Sequence, residues 1–393
     1  MQNEPDRRPS ITSGAIFRLA LYYGIAGFGG GYSVLAQLRH ELVEQRRWIE
    51  AEEFLVLAEL SKSLPGTPAT SLLALLGQRV GGVRGGVVAA TAFLLPSMAL
   101  MTAAGAAYSL MRGANALASF FDGMNAAMVG VVAATTVDLG RTALRGRWDV
   151  VAAIGAALAL ATRVTSEPLL AAGAIGVGVA MGARRAPPRS QVPDQEGAGN
   201  GLHAIALLPL LVGAGAGALA GLVRVFVPIG IATFGGGLAM VPAIEHTVVV
   251  EEHWLGPKTF ADAVALGQIT PGPIAICATF IGYRVGGLLG ALIATIAMFG
   301  PAIALALVVG HSIERFRSSP LVQGALRALA PAVIGMLAAA TWSLGRAGIA
   351  GWFDAGVGLV AFGVLARSKV SPLWLLVGGG LARVALSLIG HHG

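Results

Sequence analysis

Apolar residues run through this chain in long blocks, separated by short polar or glycine-rich punctuation. Gly85–Met111 (GGVVAATAFLLPSMALMTAAGAAYSLM) and Gly286–Gly310 (GGLLGALIATIAMFGPAIALALVVG) are two of them. Each is long enough to cross a ~30 Å hydrocarbon layer as a helix. The pattern predicts an all-α polytopic membrane protein with about 10–13 transmembrane segments, some of them re-entrant.

The blocks are interrupted in a repeated way. "GIAGFGGGYSV" (Gly24 to Val34) returns as "GIATFGGGLAM" (Gly230 to Met240), and "LPGTPA" (Leu64 to Ala69) returns as "TPGPIA" (Thr270 to Ala275). Further matches follow in the same order. They are His40/His246, Trp48/Trp254, Phe54/Phe260, GQRVGG/GYRVGG (from Gly77 and Gly282), Pro96/Pro301, and a Leu-Gly-Arg ending at Arg141 and Arg346. The chain thus reads as an N-terminal repeat over 1–183, a linker over 184–201 rich in Pro, Gly and charge, and a C-terminal repeat over 202–393.

An extra apolar segment, Leu202–Leu222, precedes the second copy, and one added crossing would turn that copy over. Positive charge favours the cytoplasmic side. With the Arg-rich linker inside, Arg141, Arg145 and Arg147 fall inside while their counterpart Arg346 falls outside. Arg112 and Arg163 fall outside, and their counterparts Arg315, Arg317, Arg367 and Lys369 fall inside. The charge bias therefore predicts two inverted-topology repeats with broken helices.

Composition narrows the class. Charged residues make up 12% of the chain, against about 25% in soluble domains. The net charge of +7 is spread singly between apolar blocks, which suits interfacial anchors and not a nucleic-acid surface, so the partners expected are the lipid bilayer and no nucleic acid. Cys277 is the single cysteine, so no disulfide or thiolate metal site is expected, and no cofactor motif appears. No Walker A, HExxH or Ser/His/Asp arrangement supports an enzyme. The N-terminus lacks a signal-peptide pattern.

Non-helical backbone at membrane depth is tolerated only against protein or a water-filled cavity. Glycine lets a ligand approach the chain, and proline stops one helix and suits the first turn of the next. Each new helix start exposes free N–H groups and about +0.5 charge. Four such starts would sum to about +2, which suits a dianion. The candidate substrate-binding residues are therefore Gly29, Gly30, Gly31, Pro65, Gly66 and Thr67 in the first copy. In the second they are Gly235, Gly236, Gly237, Thr270, Pro271, Gly272 and Pro273. Glycines serve close helix packing equally well, and this alternative stays open.

Lys62 and its counterpart Gln268 lie beside the breaks as candidate donors to a substrate. Glu59, three residues before Lys62, is either its intrahelical partner or a proton carrier; His40 and His246 are the other candidates for proton coupling, although both sit beside tryptophans, as interfacial residues do. Arg79 and Arg284 suit entrances to an anion path or a snorkelling role. Asn125 is a candidate gating or donor residue.

With the repeated FGGG, the Trp and Phe that follow it, "QITPGPIA", "TFIGYRVGG" and the later Pro301, the sequence resembles the chromate ion transporter family, in its long-chain, two-domain form. The second copy is the better match; Lys62 and Thr67 depart from the pattern in the first. The resemblance implies export of chromate, or of a sulfate-like oxyanion, across the cell inner membrane. A passive anion channel and a non-transporting membrane scaffold are the competing readings. A homodimer is compatible with such a chain.

Overall fold

The computed structural model describes residues 12–27, 31–64, 66–113, 115–144, 146–161, 173–174, 176–177, 217–232, 240–311, 320–368 and 370–390. The 184–201 linker lies outside these, as do Gly29, Gly30, Pro65, Gly235, Gly236 and Gly237. Among the described residues the structure is helical, with no strand. The first copy contributes α1 (Ser13–Ala26), α2 (Gly31–Arg39), α3 (Ala51–Ser63), α4 (Pro68–Gly113), α5 (Asn115–Ala143) and α6 (Arg147–Ala161). The second contributes α7 (Ala218–Ala232), α8 (Val241–Glu245), α9 (Pro257–Ile269), α10 (Cys277–Gly310), α11 (Pro320–Gly348), α12 (Trp352–Arg367) and α13 (Pro372–Gly390).

The helices do break where the sequence predicts, but the chain turns back instead of crossing on. Thr12 caps α1, which ends at Ala26, where the Gly27 N–H closes on the Tyr23 carbonyl at 2.9 Å. After the FGGG segment α2 runs back alongside, so that the Tyr23 hydroxyl donates to Glu41 at 2.6 Å. Leu42 and Trp48 then line one small apolar cavity with Ile16 and Leu19. The first break is therefore the tip of a hairpin. In the second copy Trp254 likewise returns to Gly221, 3.1 Å from where a Cβ would stand.

The Pro-Gly break makes a second hairpin. α3 ends at Ser63, Gly66 takes φ +100, and α4 starts at Pro68. Glu53 at the start of α3 forms an ion pair with Arg79 a few turns into α4, so the two arms are antiparallel. α4 itself is two helices folded at Gly81 and Gly82, the latter at φ 65, ψ −167. Its short arm, 68–80, lies against its long arm, 83–113: a Cβ on Gly77 would stand 2.4 Å from the Gly85 carbonyl. The short arm spans ~20 Å, too little to cross a ~30 Å core. The second copy repeats the device, with Gly272 at φ 109, Gly287 at φ 61, and Gly282 against the Gly290 carbonyl at 2.3 Å. Even the strained residues match: Arg47 and His253, at equivalent positions, have φ 52 and 53.

Equivalent helices run antiparallel. The fold of α4 lies beside the tail of α10, where Gln78 donates to the Leu307 carbonyl at 2.7 Å. The fold of α10 lies beside the tail of α4, where Tyr283 stands 3.0 Å from a Cβ on Gly105. Gln78 and Tyr283 are equivalent, as are Gly105 and Gly310, so the two contacts are one contact seen from each copy. A pseudo-twofold axis across the helices relates the copies, and their topology is inverted.

A second layer packs α5 against α11, α12 and α13, and α6 against α11. Glycines set the spacing: a Cβ on Gly130 would meet the Gly358 carbonyl at 2.1 Å, and one on Gly123 the Gly379 carbonyl at 2.2 Å. In lipid, where no hydrophobic force drives helices together, such close approach supplies the packing energy. Four described helices are long and apolar enough to span: Pro68–Leu110, Ala116–Arg141, Ile274–Gly310 and Pro372–Ile389. Large apolar side chains such as Leu110 and Ile296 face outward, as lipid contact requires. The protein is an all-α, multi-pass membrane protein.

Candidate functional site

The hairpin tips of opposite copies touch. The Gly272 N–H points at the Gly27 carbonyl at 3.4 Å, joining the second tip of the C-terminal copy to the first tip of the N-terminal copy. Each Pro-Gly tip also rests on the long arm of the other copy. A Cβ on Gly66 would stand 2.5 Å from the Ala302 Cβ, and one on Gly272 3.1 Å from the Ser97 hydroxyl. Ala302 and Ser97 each follow the proline inside their long arm, Pro301 and Pro96. The reciprocity is what the pseudo-twofold demands.

Polar side chains gather at these tips. In the first copy, Thr67 donates to Thr70 at 2.8 Å, Ser61 to the Ala58 carbonyl at 2.7 Å, and Ser71 is buried beside them. In the second copy Thr270 donates to the Leu266 carbonyl at 2.7 Å. The Gln268 amide meets the Met128 sulfur at 3.3 Å. A thioether is a weak acceptor, so this amide can be transferred to a stronger one at small cost. Lys62 lies on the same turn of its hairpin and forms an ion pair with Glu59 at 2.9 Å, both partly exposed.

The end-charge sum needs correction. Each tip joins the N-terminal end of one arm to the C-terminal end of the arm before it, and the latter carries about −0.5. The two ends of a tip offset one another, so the total is not about +2. What remains is local: the N–H groups that start a returning helix lack intrahelical partners.

The remaining sequence candidates lie away from the tips. Arg79 is held by Glu53, and Arg284 lies over the Tyr108 ring, 5.6 Å from its centroid. Each stands near the fold of its own long hairpin, so the two are at opposite faces of the molecule. His40 and His246 each open a π-helix, His40–Gln45 and His246–Glu251, and bind Glu44 at 2.6 Å and Glu251 at 3.2 Å. Gly31 begins α2.

Asn125 is joined to a residue that sequence reasoning missed. Asp262 on α9 is wholly buried; it accepts from Asn125 at 2.8 Å and from the Tyr108 hydroxyl at 2.5 Å. Both donors come from the other copy. The Asn125 side-chain oxygen is buried without a partner, an arrangement that costs about 1–3 kcal/mol. The available signal was a lone carboxylate in an apolar stretch, "FADAVALGQ", where the first copy has Val56. One turn before it, Lys258 pairs with Asp122 of α5 at 3.1 Å.

Comparison with known proteins fits this architecture. The sequence profile described as chromate transporter matches twice, at residues 14–180 and 220–384. A chromate transport protein of Cupriavidus metallidurans is 31% identical over 98% of this chain and 96% of its own. A probable chromate transport protein of Synechococcus elongatus is 30% identical over 86% of each chain. One of Pseudomonas aeruginosa is 31% identical over 86% of this chain and 82% of its own. No solved structure matches the chain. Two profile matches, falling on the two inverted copies whose hairpin tips meet, identify the chain as a member of the chromate transporter family.

Proposed function

We propose that the protein exports chromate, or a related tetrahedral oxyanion such as sulfate, across the bacterial inner membrane by alternating access. The observation that carries this reading is the reciprocal meeting of hairpin tips from inverted copies, Gly66 on Ala302 and Gly272 on Ser97. Inverted repeats whose broken helices converge form the substrate site of many secondary transporters. The relatives named as chromate transport proteins supply the substrate. The N–H groups at Gly29–Gly31, Gly66 and Gly235–Gly237 receive the anion's oxygens, and the Gly272 N–H joins them on leaving the Gly27 carbonyl. Thr67, Thr270, Gln268 and Lys62 donate beside them, and Pro65, Pro271 and Pro273 hold the tips open. Arg79 and Arg284 draw anions to the two mouths, and rocking of one copy against the other exposes the site to each face in turn.

The test is uptake of labelled chromate into everted vesicles, with sulfate and molybdate as competitors. Energised vesicles accumulate chromate above the bath concentration, and Gly272→Leu abolishes this while the protein still inserts. Flux that only equilibrates would make the protein a channel. The absence of both flux and an anion-dependent thermal shift would make it a scaffold.

A further inference from the structure

The tip after α9 is wedged between two helices of the opposite copy, and on each of them it meets a sulfur. Gly272 rests on Ser97 of α4. Met101, one turn further along α4, lies 3.5 Å from the Thr270 hydroxyl. On α5 the Met128 sulfur accepts from the Gln268 amide at 3.3 Å. Both methionines are buried, whereas Gln268 and Thr270 are partly exposed. We propose that Met128 is a positioning residue for the anion site: it fixes the Gln268 amide by one N–H and leaves the other for an oxyanion. The proposal rests on the transport reading and adds to it a residue from the opposite copy.

A glutamine amide carries two N–H bonds and turns broadly about its last torsion. Fixing one of those bonds fixes the plane, and so the direction of the other. A carboxylate or carbonyl at position 128 would grip the amide more firmly, but its negative oxygen would stand beside the bound anion. A thioether is a weak acceptor with little negative charge, so it orients the donor at small electrostatic cost. The bond also runs between the copies, and its weakness lets it break when one copy moves against the other. Met101 has a lesser part. Thr270 has a single proton to give, and donates it to the Leu266 carbonyl at 2.7 Å, so the sulfur beside it is not needed for orientation.

The pseudo-twofold supplies the comparison. The counterpart of Gln268 is Lys62, and the counterpart of Met128 is Val333. Amide and sulfur thus stand together on one side of the molecule and are replaced together on the other. There the donor is an ammonium held by Glu59 at 2.9 Å, and charge does what the sulfur does for the amide. Val333 is buried as Met128 is. Burial at this position therefore does not require a sulfur, and bulk alone does not tie residue 128 to residue 268.

The experiment uses the full chain in liposomes with labelled chromate, reading the half-saturating concentration and the maximal rate separately. Met128→Leu keeps the bulk and removes the acceptor. The half-saturating concentration rises about threefold, in the lower part of the range for one neutral hydrogen bond, and the maximal rate is retained. Met101→Leu removes a sulfur without an orienting bond and leaves both values at those of the parent. Gln268→Leu raises the half-saturating concentration about tenfold, as loss of a bond to a charged group does. Adding Met128→Leu to Gln268→Leu changes nothing more, because the sulfur acts through the amide. An unchanged half-saturating concentration in Met128→Leu overturns the proposal, as does an equal rise in Met101→Leu. A Met128→Leu effect that persists in the Gln268→Leu background is the mark of packing and overturns it too. Should Met128→Leu fail to insert, Met128→Val, which matches Val333, carries the same expectations. A parent that carries no chromate overturns the transport reading, and the assignment falls with it.

Discussion

At Gly66 two demands meet: a φ of +100 that side chains rarely adopt, and an opposing Ala302 Cβ that cannot rotate away. Gly272 shares the first, with φ +109, but faces Ser97, whose hydroxyl can turn aside. Backbone strain of this kind costs about 1–3 kcal/mol, and overpacking adds about 1–3 kcal/mol. Gly66→Ala should therefore lower the melting temperature in detergent more than Gly272→Ala does. Adding Ala302→Gly to Gly66→Ala should recover the packing part and leave the strain. Full recovery, or none, would show that the Gly66 contact is misassigned. The need for glycine was legible in the sequence, since Pro-Gly pairs mark sharp turns. The contact that makes Gly66 the more sensitive site was not, because it joins residues from opposite halves of the chain. Asp262 escaped for a related reason: a lone carboxylate in an apolar stretch acquires meaning only once Tyr108 and Asn125 are beside it.

The elements tell a similar story at greater length. Proline and glycine encode where a helix stops but not whether the chain then continues or turns back. The FGGG and Pro-Gly breaks were thus readable, while the reversal that makes each a hairpin tip depends on pairings such as Tyr23 with Glu41 and Glu53 with Arg79. The hairpin arrangement predicts which residues share a face. Arg47 ends the first hairpin and Arg84 follows the fold of α4, so both stand at one face; His253 and Leu288 are their opposites, and all four are exposed. The native Cys277 is fully buried, so it gives little background. Single cysteines at Arg47 and Arg84 should react with an impermeant thiol reagent from one side of sealed vesicles, and those at His253 and Leu288 from the other. Were Pro-Gly a mere kink in a crossing helix, the members of a pair would label from opposite sides.

For the whole molecule, alternating access by inverted copies would give two access states related by the pseudo-twofold, and the departures from symmetry would then set direction. The antiparallel pairing of α4 with α10 agrees with the inversion inferred from scattered arginines. Lys62 against Gln268 and Asp262 against Val56 are the departures that matter. Their consequence is electrical. A dianion leaving a cell gains about 2 × 2.3 kcal/mol per 100 mV, negative inside. That is roughly a tenfold change in gradient for every ~30 mV. If each cycle also returned one proton, three charges would move, and a tenfold change would need only ~20 mV. Steady-state chromate gradients in proteoliposomes, held at a series of potassium diffusion potentials with the pH equal on both sides, measure this slope directly. A slope of ~30 mV per tenfold change is the outcome expected for the dianion alone, and ~20 mV marks one returned proton. A gradient indifferent to potential would mean that the dianion's charge is cancelled within the cycle by counter-ions, and export driven by the potential would fall.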